Sequence, residues 1–337
     1  MNFKRKLLIF LISFSIIIPI NTLAYSKYLI PGGETIGIKM QSNGVFVVGF
    51  YSVNGKNIAE ESKLKIGDRI VSINDIEIKN INDLISNFDS SDEFINIKFG
   101  YVRNNKLNYT NLKLKKDQNG GYKTGIYVKD YITGIGTLTY IDPSTNEYGA
   151  LGHEILESNS NNNFTLLNGK IFSSKITSIT KSDLGNPGEK NGKLNQNDVY
   201  GSILLNHQTG IYGKFDKEIS NKELIEVGKI DEVKIGKAEI ITVLNDNEKE
   251  KFEIEILSID KSNDTKNFLV MITDEKLLAK TGGIVRGMSG SPIIQNGKII
   301  GAINHAIVDN PKKGYGISIK MKIHISEICL WIMFLIL

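Results

Sequence analysis

Gly287-Met288-Ser289-Gly290-Ser291-Pro292 holds the residues of this chain best suited to chemistry. Ile293-Ile294 follow, then the turn dipeptide Asn296-Gly297 and the run Ile299-Ile300-Gly301-Ala302-Ile303. An Asn-Gly pair between two apolar runs signals a two-stranded hairpin, so Ser289 lies in a glycine-flanked loop just before a ribbon. Glycines on both sides let the backbone turn sharply and expose the hydroxyl. The N–H groups of Gly287 and Ser289 can then face one spot, a candidate oxyanion hole for acyl transfer. Ser291, next to Pro292, reads as the start of the hairpin, although it is a rival nucleophile.

A serine hydroxyl needs a base to take its proton. The chain has four histidines: His153, His207, His305 and His324. His153, in Tyr148-Gly149-Ala150-Leu151-Gly152-His153-Glu154-Ile155, is bracketed by glycines as a loop-presented side chain would be, and it is the favoured base. His207 and His305 remain alternatives. A third group, a carboxylate, would fix the imidazole tautomer. Asp274 ends a predicted strand shortly before the serine loop, with Asp142 and Asp309 as rivals that spacing alone leaves open.

The elements that must position these residues are predominantly β. From Gly37 to Leu114 short alternating segments and tight turns predict strands around one short helix over Asn82 to Phe88, capped by Asn80 or Asn82. The polar, glycine-rich Asp117-Gln118-Asn119-Gly120-Gly121 reads as a linker to a second, larger β-rich unit. Within that unit Glu239 to Val243 and Phe252 to Ile256 predict a hairpin. Ser158 to Asn163 and Lys181 to Asn197 read as surface loops.

The chain has 337 residues, a length that suits about two domains. Its net charge of +4 is small, and only Arg5, Arg69, Arg103 and Arg286 are arginine, which disfavours a nucleic-acid partner. A lone cysteine, Cys329, rules out an internal disulfide, and no metal or nucleotide motif is present, so no metal and no cofactor are expected. Lys4-Arg5-Lys6, the apolar stretch Leu7 to Ile20 and Asn21-Thr22-Leu23-Ala24 follow the order of an export signal, cleaved or kept as an anchor over residues 1–25. The rest of the chain is then expected outside the cytoplasm, in contact with a membrane through its N-terminal segment.

Two resemblances sharpen this reading. Ala59 to Ile78, chiefly Leu-Lys-Ile-Gly-Asp-Arg-Ile-Val-Ser-Ile-Asn from Leu64, resembles the signature of a PDZ domain, here residues 35–116. Such domains add an extended peptide to a sheet edge. The resemblance puts the peptide at Ile36-Gly37-Ile38, with Pro31-Gly32-Gly33 in the carboxylate-receiving loop. The Gly-His-Glu-Ile run and the stretch from Asp274 through Thr281-Gly282-Gly283-Ile284-Val285-Arg286 to Lys298 resemble the stage IV sporulation protein B peptidases of endospore-forming bacteria.

That resemblance implies a mainly β chain in which the PDZ-like domain is followed by a trypsin-like double β-barrel serine peptidase domain at 122–320. It implies Ser289 as nucleophile, His153 as base and Asp274 as orienting acid. It further implies secretion from the forespore into the space between two membranes, self-cleavage, and cleavage of a membrane-bound regulator of an intramembrane metalloprotease. The outcome would be sigma-factor activation during endospore formation. The apolar end of residues 321–337 departs from the family's expected polar finish, as a frame change, a membrane-dipping end or an added core strand would. The competing reading is a secreted PDZ scaffold whose peptidase-like domain is inactive.

Overall fold

The computed structural model describes residues 26–325 except 54, 57–61, 89–91, 118 and 158–163. The export segment 1–25, Ala59, the run Ser158 to Asn163 and the apolar end with Cys329 lie outside the described residues.

Strand β1 (Tyr28–Pro31) leads into the long β2 (Thr35–Phe50). An inserted unit follows, with β3 (Arg69–Ile73), β4 (Ile76–Glu77), helix α1 (Ile81–Ser86), β5 (Phe94–Arg103) and β6 (Lys106–Lys115). The chain then returns through β7 (Ile126–Ile141), β8 (Glu147–Ala150), β9 (Leu166–Thr180), β10 (Glu189–His207) and β11 (Gly210–Phe215). Pairing runs from β2 to β7, β8, β11, β10, β9 and back to β2, so these strands close into a barrel. Closure leaves no free edge along those strands. Inside are Ile36, Ile38, Met40, Leu138, Ile171 and Ile211, all but excluded from water. At about 1.5–3 kcal/mol for each such side chain, this apolar interior is the main force holding the barrel.

A second barrel follows the short β12 (Ile225–Val227), which joins β1 to the later β17. Its strands are β13 (Gly236–Val243), β14 (Lys249–Ile259), β15 (Phe268–Ile272), β16 (Pro292–Gln295), β17 (Lys298–Ile307) and β18 (Asn310–Ser318), with helix α2 (Glu275–Thr281) after β15. Pairing runs β13, β14, β15, β18, β17, β16 and back to β13. Asn296 and Gly297, both at positive φ, make the expected turn between β16 and β17. A further apolar cluster of Leu29, Tyr140, Ile241, Ile294, Ile319 and Ile323 fills the seam between the barrels. Residues 319–325 form a closing helical turn.

The expected order of a PDZ-like unit and then a double barrel holds, with one addition and two corrections. First, β1 and the first half of β2, ahead of the core of the PDZ-like unit, already belong to the first barrel, and β2 passes into the inserted unit at a bulge. Gly44 makes that passage, with φ 111 and no room for a Cβ, which would lie 2.7 Å from the Ile70 carbonyl. Second, Ile36, Gly37 and Ile38 offer no edge to a peptide, because β7 pairs with them on one side and β9 on the other. The Gly32 and Gly33 amides of the supposed carboxylate loop are likewise taken, by the carbonyls of Thr139 and Leu138. Third, Lys181 to Asn197 is not all loop, since Glu189 onward is strand β10 paired with β9.

The inserted unit has its own core of Val45, Val47, Ile70, Ile73, Leu84, Ile97 and Phe99. Helix α1 starts where Asn80 accepts the Asp83 N–H at 3.0 Å. A buried Asp68 is paired with Arg103 at 2.6 Å through two guanidinium nitrogens. That fork also holds the Gly67-Asp68 turn of the signature run. Among the described residues no helix is long and apolar enough to cross a membrane.

Candidate active site

Ser289 sits where the sequence places it, in the loop between α2 and β16. Gly287 and Gly290 adopt φ 90 and 96. At Gly290 a Cβ would meet the Thr137 carbonyl at 2.2 Å, so only glycine fits. The Gly290 N–H donates to the Ile303 carbonyl at 2.8 Å, and the Ser291 N–H donates to the Met288 carbonyl at 3.0 Å. Ser291 itself is wholly buried and its hydroxyl donates to Thr242 at 3.1 Å, which removes it as nucleophile.

The direction of two amides follows from trans peptide geometry, in which C=O and the next N–H point opposite ways. The Arg286 carbonyl faces β10, where it accepts the Lys190 N–H at 2.9 Å, so the Gly287 N–H points away from β10. The Met288 carbonyl accepts from Ser291, so the Ser289 N–H also points away from that bond. Neither N–H has a hydrogen-bond partner among the described residues. Both residues line a cavity of about 470 Å³ at the seam of the barrels.

His153 lines the same cavity from the first barrel. Its Nδ1 lies 2.8 Å from the Glu154 carbonyl oxygen. A carbonyl only accepts, so Nδ1 carries the proton and Nε2 keeps its lone pair, the tautomer a general base needs. Burial holds the imidazole below its ordinary pKa, the Glu154 carbonyl opposes that, and the nearby Lys322 adds to it. The ring rests 4.8 Å from that of His305, tilted by 32°. His305 also lines the cavity and is likewise held below its usual range, first by desolvation and then by His153 and Lys266.

The two loops are stitched together. The Gly152 N–H donates to Ser289 Oγ at 3.0 Å. Thr137 of β7 gives its N–H to the Ser289 carbonyl at 3.1 Å and its hydroxyl to the Gly287 carbonyl at 2.7 Å. Its own carbonyl accepts the Leu151 N–H at 3.1 Å. Thr137 thus sets both loops at once. It lies mid-strand in an alternating run and carries no local signal that sequence reading could have used. No hydrogen bond joins His153 to Ser289 in this state, as is common before substrate binds.

Asp274 is elsewhere. It is the N-cap of α2, where Oδ1 accepts the Leu277 N–H at 2.8 Å, and it does not line the cavity. Asp142 shapes the turn before β8 by accepting from Ser144, and Asp309 is exposed at the tip of the β17–β18 hairpin. In this geometry the orienting acceptor on His153 Nδ1 is the Glu154 carbonyl, not a carboxylate. His207 is tied to Thr209 at 2.9 Å and does not line the cavity, and His324 is on the closing helical turn.

Two closed β-barrels that present a serine loop and a histidine from either side of one cleft define a serine peptidase of the double-barrel, trypsin-like class. The chain belongs to the SpoIVB peptidase S55 family, which matches residues 120–323, and a PDZ domain matches residues 35–114. Similar solved structures include an HtrA-type protease, AlgW with decapeptide, at 10% identity and TM-score 0.35, covering 60% of this chain and 54% of that one. Another is the Rv3671c protease from M. tuberculosis in its active form, at 14% identity and TM-score 0.32, covering 56% of this chain and 71% of that one. The chain thus spans about half the length of the AlgW chain. No match was found among curated proteins.

Proposed function

We propose that Ser289 is the nucleophile of this serine endopeptidase, His153 its general base, and the Gly287 and Ser289 amides its oxyanion hole. The observation that carries the assignment is the shared cavity, lined by Gly287, Ser289 and His153, with the Nδ1 proton of His153 on the Glu154 carbonyl. Ser289 Oγ attacks a peptide carbonyl while its proton passes to His153 Nε2. The carbonyl oxygen becomes an oxyanion held by the two amides. Collapse expels the amine, which takes the proton from His153 and leaves an ester on Ser289. Water then attacks that ester with His153 again as base, and the acid product leaves as the serine regains its proton.

The biological reading rests on family membership. We infer that the enzyme acts outside the cytoplasm during endospore formation, held at a membrane by its N-terminal segment. There it cleaves itself, and then a membrane-bound regulator that restrains an intramembrane metalloprotease, which releases late sigma-factor activity. The inserted PDZ unit would choose the protein substrate. To test this, the full chain and Ser289→Ala are incubated separately and followed by intact-protein mass spectrometry. Shortening of the wild type alone supports the assignment. Equal shortening of both, or none in either together with no reaction with a fluorophosphonate, would favour the inactive scaffold.

A further inference from the structure

Lys322 takes no part in the chemistry above, yet it is wholly buried, at 0% exposure, beneath the histidine loop. Its ammonium donates to the carbonyl oxygens of Leu151 at 2.6 Å, Thr209 at 2.9 Å and Ala150 at 3.3 Å. It also lies 5.1 Å from the centre of the Tyr212 ring. No carboxylate pairs with it among the described residues. An ammonium taken out of water without a counter-ion is costly, which is why burial lowers its pKa to about 7. The pocket is shaped to receive it: a Cβ on Gly210 would stand 2.7 Å from Nζ, and Gly210 adopts φ 135.

Two of those carbonyls belong to the residues immediately before Gly152 and His153. Leu151 is held at φ 57, a left-handed conformation that costs a side-chain-bearing residue on the order of 1 kcal/mol or more. It is retained because Thr137 holds its N–H and Lys322 holds its C=O. Gly152 is then pressed so closely on β17 that a Cβ would lie 2.6 Å from the Asn304 Cα. The lysine comes from the closing helical turn, far along the chain, where Ile319 and Ile323 anchor it in the seam.

We propose that Lys322 is a positioning residue for catalysis: by holding the Ala150, Leu151 and Thr209 carbonyls it sets Gly152 and His153 against Ser289, so peptidase activity requires the closing helical turn to be docked. This rests on the assignment of Ser289 and His153. A misplacement near 1 Å at a reacting group costs roughly 10²-fold in rate. Lys322→Met keeps the stem and loses the donors, and Lys322→Ala leaves a hole the size of an alkylammonium ion.

The test uses the full chain and reads the second-order rate of fluorophosphonate attachment to Ser289, with the thermal midpoint of each variant alongside. Lys322→Met is expected to label roughly 10²-fold more slowly while still unfolding cooperatively, at a midpoint lowered by the carbonyl acceptors that lose their donor. Lys322→Ala is expected to regain labelling with n-propylammonium but not with n-propanol, a rescue that simple packing would not show. A folded Lys322→Met that labels at the wild-type rate overturns the proposal. If Lys322→Met does not fold, the Lys322→Ala rescue decides, and its absence overturns the proposal. A wild type that takes no label on Ser289 overturns the nucleophile assignment and the Lys322 role with it, a result distinct from normal labelling in the variants.

Discussion

The serine loop and the histidine loop face each other across one cavity but are held in opposite ways. The serine loop makes its turn from its own residues and is held by main-chain bonds. Its glycines, its short-range bonds from Met288 to Val285 and from Ser291 to Met288, and its strand contacts at Ile303 and Gly188 fix it through main chain. The histidine loop has few bonds of its own. It depends on a strained Leu151, on Asn206, which exchanges hydrogen bonds with both backbone groups of Ile155, and on Lys322 from the end of the fold. Each loop has a buried lysine behind it, but the two differ in kind. Lys190 presses its stem under Gly287 and donates to the hydroxyl of Thr242 at 2.7 Å, whereas Lys322 grips the loop's own carbonyls. The loop of the proposed nucleophile thus has its turn made by near neighbours before distant strands dock it, whereas the loop of the proposed base leans on contacts that exist only once the chain has closed.

The largest effect should come from the shared chemistry. Ser289→Ala is expected to lower kcat by about 10⁶, and His153→Ala by a similar factor, because residues acting as one unit fail together. Progress curves on a quenched peptide check this, and unequal losses would separate the two loops functionally.

Breaking the stitch between them should cost less. Thr137→Val removes the hydroxyl donor to the part-buried Gly287 carbonyl, at about 1 kcal/mol. The expected result is a lower melting temperature together with a reduced kcat and a nearly unchanged KM.

The pH dependence sharpens the contrast further. As the proposed general base His153 acts in its neutral form, and its pKa is lowered by burial, so protonation is expected to switch the enzyme off only below the usual histidine range near 6.5. The acid limb of kcat/KM is therefore expected below that value. A limb above it would mean that a carboxylate, not the Glu154 carbonyl, faces His153.

The smallest effect is expected at Asp274. Asp274→Ala removes the α2 cap and should cost about 1 kcal/mol of stability, whereas Asp274→Asn keeps a capping oxygen and most of the activity. A loss near 10⁴ in Asp274→Asn, as for a catalytic acid, would return Asp274 to the site.

What the sequence revealed follows the same division. The serine loop, the β16–β17 hairpin, the Asn80 cap and the β-rich class rest on glycines, turn dipeptides and alternation within a few residues, and they could be read directly. The barrel closures could not, because they depend on which distant strands pair. For that reason the PDZ edge was expected at Ile36 to Ile38, where the pattern is right for a strand but both neighbours are already present. Asp274 looked like an orienting acid because it lies at a strand end near the serine, yet the same placement suits a helix cap. Thr137 and Lys322 had no signature at all, since a mid-strand threonine and a lysine near an apolar end are ordinary until the fold places them.

The most direct test is a crystal structure of the full chain with a peptide phosphonate bound at Ser289. A phosphorus–oxygen bond to Ser289 Oγ is expected, with a phosphoryl oxygen about 2.7–3.1 Å from both the Gly287 and Ser289 nitrogens. His153 Nε2 should turn toward Oγ, with Nδ1 still on the Glu154 carbonyl and Lys322 still on the carbonyl of Leu151. A phosphoryl oxygen facing solvent, or a carboxylate in place of the Glu154 carbonyl at Nδ1, would contradict that geometry.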